Sequence, residues 1–160
     1  MTGDDRRGQH VMTPEAIREL VYLSYQAYEH GERSFLTDLL HDNVQFIMHC
    51  PPEALPVPNR ICGKAALLAA FKKIDEVVIV ERTELQLVIV ENDWASVICD
   101  RTLRQRASGR VMRYKVAAFQ RYSNARLIEY HGFTDSVDLM EQAIGRELDL
   151  PNAFPSAGTG

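Results

Sequence analysis

Residues 108–135 read SGRVMRYKVAAFQRYSNARLIEYHGFTD, and the class of the fold turns on them. Gly109 and the group Ser123, Asn124 and Ala125 are turn formers, and apolar and polar residues alternate between and after them. Alternation places Met112, Tyr114, Val116, Ala118 and Gln120 on one face of a strand and Arg113, Lys115, Phe119 and Arg121 on the other. The next run puts Ile128, Tyr130 and Gly132 on one face and Glu129 and His131 on the other. So short a link joins antiparallel neighbours, because a parallel return needs a crossover of about a dozen residues or more.

Working outward, "VVIVERTELQLVIV" (77–90) and "WASVICDRTLRQR" (94–106) are two further β-rich runs, separated by the turn-like "END" and "ASG". Together the runs predict a meander of long antiparallel strands. The chain before it is helical. "TPEAIRELVYLSYQAYEHGE" (13–32) has Thr13 as N-cap, Pro14 at the first helical position and Gly31 just past the end. Ile17, Leu20, Val21, Ser24 and Tyr28 share its apolar stripe, with Tyr25 at the border. "SFLTDLLHD" (34–42) predicts a short second helix and "NVQFIM" (43–48) a first strand. "GKAALLAAFKKI" (63–74) predicts a third helix that buries Leu67, Leu68, Phe71 and Ile74. A last helix, "DSVDLMEQAIG", starts after Thr134 or Asp135 and stops near Gly145. Helices first and strands afterwards indicate an α+β protein. Strands this long suit a strongly curved, mainly antiparallel sheet wrapped around the N-terminal helices, with a cavity at its open end.

With 160 residues, 46% hydrophobic and 25% charged, the chain fits one soluble globular domain. We expect a flexible tail over 1–12, a domain over 13–145 and a second flexible tail over 146–160. A formal charge of −4 without a basic stripe argues against nucleic acid as a partner. The four arginines at 101, 104, 106 and 110 divide between the two faces of a strand. No apolar run approaches the ~18 residues of a membrane span, so no membrane partner is expected. "MTGDDRRGQHVM" lacks the apolar segment of a signal peptide. With Cys50, Cys62 and Cys99 as an odd set of thiols, this predicts a reduced, cytoplasmic protein.

The segment Ile47–Cys62, "IMHCPPEALPVPNRIC", gathers four of the seven prolines beside His49, Cys50 and Cys62. Zinc needs about four ligands at closer spacing, and a disulfide would have to span a stiffened loop. We read the segment as rigid and apolar, carrying Leu55 and Val57 at its tip, with no metal and no cofactor.

Three stretches carry a resemblance to a known family: the first helix, "LLHDNVQFIM" leading into the first strand, and residues 108–135. In this order they resemble the nuclear transport factor 2-like superfamily, which includes SnoaL-like cyclases, ketosteroid isomerases and limonene-epoxide hydrolases. The resemblance spans roughly residues 13–145. It implies a cone-shaped α+β barrel whose inner face carries Met112, Tyr114, Val116, Ala118, Gln120, Ile128, Tyr130 and Gly132, with the proline-rich segment as a lid or rim at its mouth. It also implies a hydrophobic small-molecule ligand and a homodimer built on the outer sheet face around Phe119. The catalytic sets of the family do not carry over. The isomerase tyrosine falls on Ser24, its late-strand acid on Ala118 and its proton-moving aspartate near Ile47 or Met48. The hydrolase's last-strand aspartate falls on Gly132.

The candidate site follows. His49 suits proton transfer near neutral pH, or is a structural hydrogen-bonding group. Asp100 and Arg101 are adjacent, so at most one enters the cavity: Asp100 as a base, or Arg101 as the partner of a ligand carboxylate. Tyr25, Tyr28, Phe46, Met48, Met112, Tyr114, Gln120 and Tyr130 are the expected lining, largely apolar with a few polar tips. Two functions remain open at this point. One is acid–base chemistry without a cofactor (isomerisation, cyclisation, dehydration or hydrolysis) on a hydrophobic substrate. The other is non-catalytic carriage or sensing of a ligand, or a dimeric interaction module.

Overall fold

The computed structural model describes residues 12–150. The ends of both expected tails, 1–11 and 151–160, lie outside these described residues.

Helix α1 (Pro14–His30) begins as its sequence requires: the Thr13 side chain accepts a hydrogen bond from the Ala16 N–H at 3.2 Å. It ends at Gly31, whose φ of 71° is the left-handed conformation that glycine tolerates best. Helix α2 (Arg33–Leu39) runs directly into strand β1 (Leu40–His49). A 3-10 turn (Pro52–Ala54) and a short strand β2 (Arg60–Cys62) precede helix α3 (Lys64–Val77). The meander follows as β3 (Val78–Glu91), β4 (Trp94–Gln105), β5 (Val111–Ser123) and β6 (Arg126–Thr134), and helix α4 (Ser136–Ile144) closes the domain. The Asp135 side chain caps α4 by accepting from the Asp138 N–H.

The six strands form one open sheet in the order β2-β1-β6-β5-β4-β3. All neighbours are antiparallel except β1 and β6, which run parallel and bring the two ends of the fold together at mid-sheet. Bulges on β3, between Val80 and Arg82 and between Leu85 and Leu87, lengthen it relative to β4. An extra residue on one strand bends it and increases its twist, which is how so long a strand curves around the helices. Inside the curve, Ile17, Val21 and Tyr25 of α1 pack with Val97, Cys99, Val116, Ala118 and Tyr122. Burying each aliphatic side chain contributes roughly 1.5–3 kcal/mol.

The expected α+β class and the order of elements are those observed. Three details differ. The segment read as a continuous loop contains β2, because Gln45, Phe46 and Ile47 offer an unpaired edge to Arg60–Cys62. Strand β1 starts at Leu40, three residues earlier than the alternation suggests. On β6 the buried inner residue is Leu127 rather than Ile128. The pairing steps from Arg121↔Glu129 to Tyr122↔Leu127, so Ile128 is the extra residue of a bulge and the alternation resets there.

Candidate functional site

The sheet, α1, α3, the turn after β1 and α4 enclose a cavity of about 490 Å3. Its wall is aromatic where β1, β6 and α3 meet. Phe46 stacks on Tyr130 at 4.6 Å between ring centroids, and Phe71 meets Phe46 and Tyr28 edge-on at 6.1 and 5.7 Å. Glu53, Ala54, Leu55, Pro56 and Val57 line it from the proline-rich segment, and Leu139 and Ala143 line it from α4. Val57 is buried, so the segment turns its apolar tip inward as expected. Prolines suit this place because they stiffen a loop that has no regular ladder to hold it. Cys50 and Cys62 flank the segment as free thiols.

A hydrogen-bonded network supports one wall. The Gln120 side-chain amide donates to the Tyr25 hydroxyl at 3.0 Å, and the Tyr122 hydroxyl donates to the Gln120 carbonyl at 2.6 Å. Ser24, next to Tyr25 on α1, donates to the Val21 carbonyl one turn back at 2.8 Å. Burial pushes the phenols of Tyr25, Tyr114 and Tyr122 above their ordinary range and that of Tyr130 up to about 12. These groups are therefore neutral hydrogen-bonding groups at physiological pH.

All eight expected lining residues line the cavity: Tyr25, Tyr28, Phe46, Met48, Met112, Tyr114, Gln120 and Tyr130. Of the adjacent pair, Arg101 enters and Asp100 does not. Asp100 lies on the outer face in an ion pair with Lys115 at 2.6 Å, which removes it as a base within the cavity. The arginine is enclosed by protein, and the surface it keeps faces the cavity. Its guanidinium lies 5.1 Å from the centre of the Tyr28 ring. Burial works against its charge, yet Tyr114, Tyr28 and Tyr130 around it hold its pKa above the usual arginine range.

His49 lies outside the cavity lining. Met48 points into the cavity, so its neighbour on the strand points away. The His49 ring stacks on Phe133 at 4.2 Å between centroids, and its Nε2 lies 3.1 Å from Nδ1 of His131. His131 in turn reaches the Glu129 carboxylate at 2.8 Å. This chain of side chains lies on the outer face and touches nothing in the cavity.

Several lining residues escaped the sequence reading as site residues. Leu67 and Phe71 were legible as the buried side of a helix but not as cavity wall. Leu127 was hidden by the bulge. Tyr122, the next inward position after Gln120 on β5, is core rather than cavity wall and supports the lining from behind through its bond to Gln120.

Sequence comparison finds no matching family model and no matching curated protein. Solved structures do match. A candidate isomerase from Rhodopseudomonas palustris is 25% identical, with a TM-score of 0.74 over 84% of this chain and 100% of that one. An NTF2-like protein of unknown function from Burkholderia pseudomallei is 15% identical, with a TM-score of 0.70 over 82% and 98%. The chain has the nuclear transport factor 2-like fold. A third match, an LEH-like epoxide hydrolase from M. tuberculosis, is 14% identical with a TM-score of 0.67 over 83% and 92%.

Within this fold, the two positions where the resemblance would put late-strand acids are cross-strand partners, Ala118 and Gly132. Both are buried and neither ionises. A Cβ on Gly132 would lie 2.4 Å from the Met48 sulfur and 2.9 Å from the Tyr130 ring. The thioether of Met48 therefore occupies the space beside Gly132.

Proposed function

We propose that this domain binds one small hydrophobic molecule in the cavity. The observation that supports the reading is the cavity itself: about 490 Å3 of mostly apolar and aromatic wall with a few placed polar groups. Ligand sites of proteins have this size and make-up. Tyr25, Tyr28, Phe46, Met48, Met112, Tyr114, Gln120 and Tyr130 are the proposed contacts.

Binding is better supported than acid–base turnover. Among the described residues the lining holds no histidine or aspartate, and its one carboxylate, Glu53, is exposed on the proline-rich segment. Asp100 and His49 both face outward. Of the proposed catalytic set only Arg101 has access to a ligand, and an arginine that keeps its proton does not transfer one. The role of the domain is then carriage or sensing. Its free thiols suit a reducing, cytoplasmic setting.

The test is titration with N-phenyl-1-naphthylamine, a neutral apolar dye that brightens out of water, together with native mass spectrometry of freshly purified protein. One saturable site per chain is expected, and His49→Ala should bind within about twofold of the parent. No saturable uptake of the dye, and no co-purified molecule, would end this reading. A His49→Ala variant that loses binding while folded would place the site elsewhere.

We propose further that the outer sheet face pairs with a second copy of this chain. Two rows cross the strands there, one of Leu87, Ile98, Ala117 and Phe133, the other of Ile89, Ser96 and Phe119. Phe119 is 45% exposed and Ile89 53%. Asp100–Lys115 and Asp93–Arg121 ion pairs lie beside these rows, so the face carries both signs of charge, as a surface that meets its own copy requires. Phe119→Lys is expected to convert a dimer to a monomer in sedimentation-velocity runs. A parent protein that sediments as a monomer at tens of micromolar would rule the pairing out.

A further inference from the structure

We propose that Arg101 is an anchor for an anionic oxygen group, of carboxylate type, on the molecule that fills the cavity; this rests on the ligand-binding reading above. Two arginines approach the Tyr28 ring, each with its guanidinium carbon 5.1 Å from the ring centre. Each also has one buried guanidinium nitrogen without an acceptor, Nη1 of Arg33 and Nε of Arg101, and they differ in whether a carboxylate balances the charge. Arg33 is neutralised by Asp75, to which its Nε donates at 3.0 Å. Arg101, enclosed by protein, has no carboxylate partner among the described residues. Its Nε is buried without any hydrogen-bond acceptor.

Of the nearby acids, Asp100 and Glu29 are engaged elsewhere, and Glu53 stands exposed on the proline-rich segment without an ion pair to Arg101. Asp100, next in the chain, pairs with Lys115 on the opposite face. Glu29 on α1 accepts from the backbone N–H of Thr83, the residue opposite Arg101 on β3. The Thr83 hydroxyl is itself buried without a partner. What surrounds the guanidinium is phenols and ring faces: Tyr28, Tyr114 and Tyr130. Ring faces attract a cation but do not replace an anion. A permanently charged group enclosed without a counter-ion is among the most unfavourable things a fold can hold, unless a counter-charge arrives. Here Arg101 lines the cavity, so a counter-charge can reach it from there. A carboxylate there would meet several guanidinium donors, the planar fork that such groups pair with in two parallel bonds. The apolar walls of Phe46, Phe71 and Met112 would hold the rest of the molecule.

The experiment uses two isosteres, 2-naphthoate and 2-naphthamide, each displacing N-phenyl-1-naphthylamine at pH 7. The full chain should bind naphthoate at least tenfold more tightly than naphthamide, because a charge-assisted bond is worth about that much or more. Arg101→Met should erase this preference by weakening naphthoate at least tenfold more than it weakens the dye or the amide. Arg101→Lys should keep part of the preference, since it restores the charge without the fork. Circular dichroism checks that each variant folds, and if neither does, the parent's preference between the isosteres decides. Equal binding of both isosteres by the parent, or a preference that survives Arg101→Met, would overturn the anchor and leave the cavity reading intact. If the dye and both isosteres fail to bind, the cavity reading falls and takes the anchor with it.

Discussion

Gln120→Leu is expected to destabilise the fold by roughly 2–4 kcal/mol, read as a lower urea midpoint with an unchanged slope. Gln120 is 2% exposed and serves two phenols at once, donating to Tyr25 and accepting from Tyr122. Leucine matches its bulk but has neither group, so the Tyr122 hydroxyl loses its acceptor and the Tyr25 oxygen its donor. Each buried hydroxyl left unpaired costs about 1–3 kcal/mol, partly offset by the better burial of leucine. The triple variant Tyr25→Phe, Gln120→Leu, Tyr122→Phe should recover most of the loss, because nothing polar is then left behind. A cost below ~0.5 kcal/mol for Gln120→Leu would mean that cavity water takes over both bonds and that the network is dispensable.

Alkali should unfold the protein earlier than its exposed surface alone would require. Burial raises the phenols of Tyr25, Tyr114 and Tyr122, and raises Tyr130 from its ordinary value of 10.0 to about 12. An unfolded tyrosine ionises near 10. Between those values the unfolded chain binds fewer protons than the folded one, so stability falls as pH rises. The contribution of Tyr130 is complete below about pH 10 and is lost as pH climbs through about 12. Two units correspond to about 3 kcal/mol for this one group, enough to remove much of a typical folding free energy. Urea midpoints at pH 9, 10 and 11, with tyrosinate absorbance followed alongside, give the measurement. Midpoints should drop beyond pH 10, absorbance should rise only with unfolding for the buried phenols, and Tyr130→Phe should flatten the slope. Full tyrosinate formation by pH 11 in a protein that stays folded would show these rings to be open to solvent. The same shift matters for binding, since a phenol that keeps its proton remains available as a hydrogen-bond donor to a ligand oxygen.

Much of the site was legible because local rules govern it. A strand of alternating residues has only two faces. Once Met112, Val116 and Ala118 are recognised as the apolar one, Tyr114 and Gln120 must share it. The N-cap at Thr13 and the glycine after His30 set the phase of α1, which brings Tyr25 and Tyr28 to the cavity side. The proline-rich segment could be read as stiff and apolar because its composition offers neither a helix nor a full ladder, and its place at the cavity mouth came from the family resemblance. The bulge at Ile128 could not be read in this way, because it depends on how β6 pairs with β5 rather than on any property of β6 alone.

Asp100 and Arg101 mark where local information ends. Adjacency on a strand dictates that one faces inward and one outward, and sequence alone carries the argument that far. Which one enters depends on the run before them, where Trp94, Ser96 and Ile98 compete with Ala95, Val97 and Cys99 for the core. Both sets include apolar residues, so alternation is ambiguous. The choice falls to the packing of α1 on β4, where Ala95, Val97 and Cys99 are small enough to let Ile17, Val21 and Tyr25 approach. Arg101 follows them inward by parity. Likewise His49 faces outward because Met48 fills the space that Gly132 leaves on the next strand. Chain order, caps and strand alternation are short-range consequences of steric and hydrogen-bonding rules, and the sequence determined them by itself. The isolation of one buried cation and the exclusion of a histidine follow from which surfaces meet across the core, and only the tertiary structure decided those.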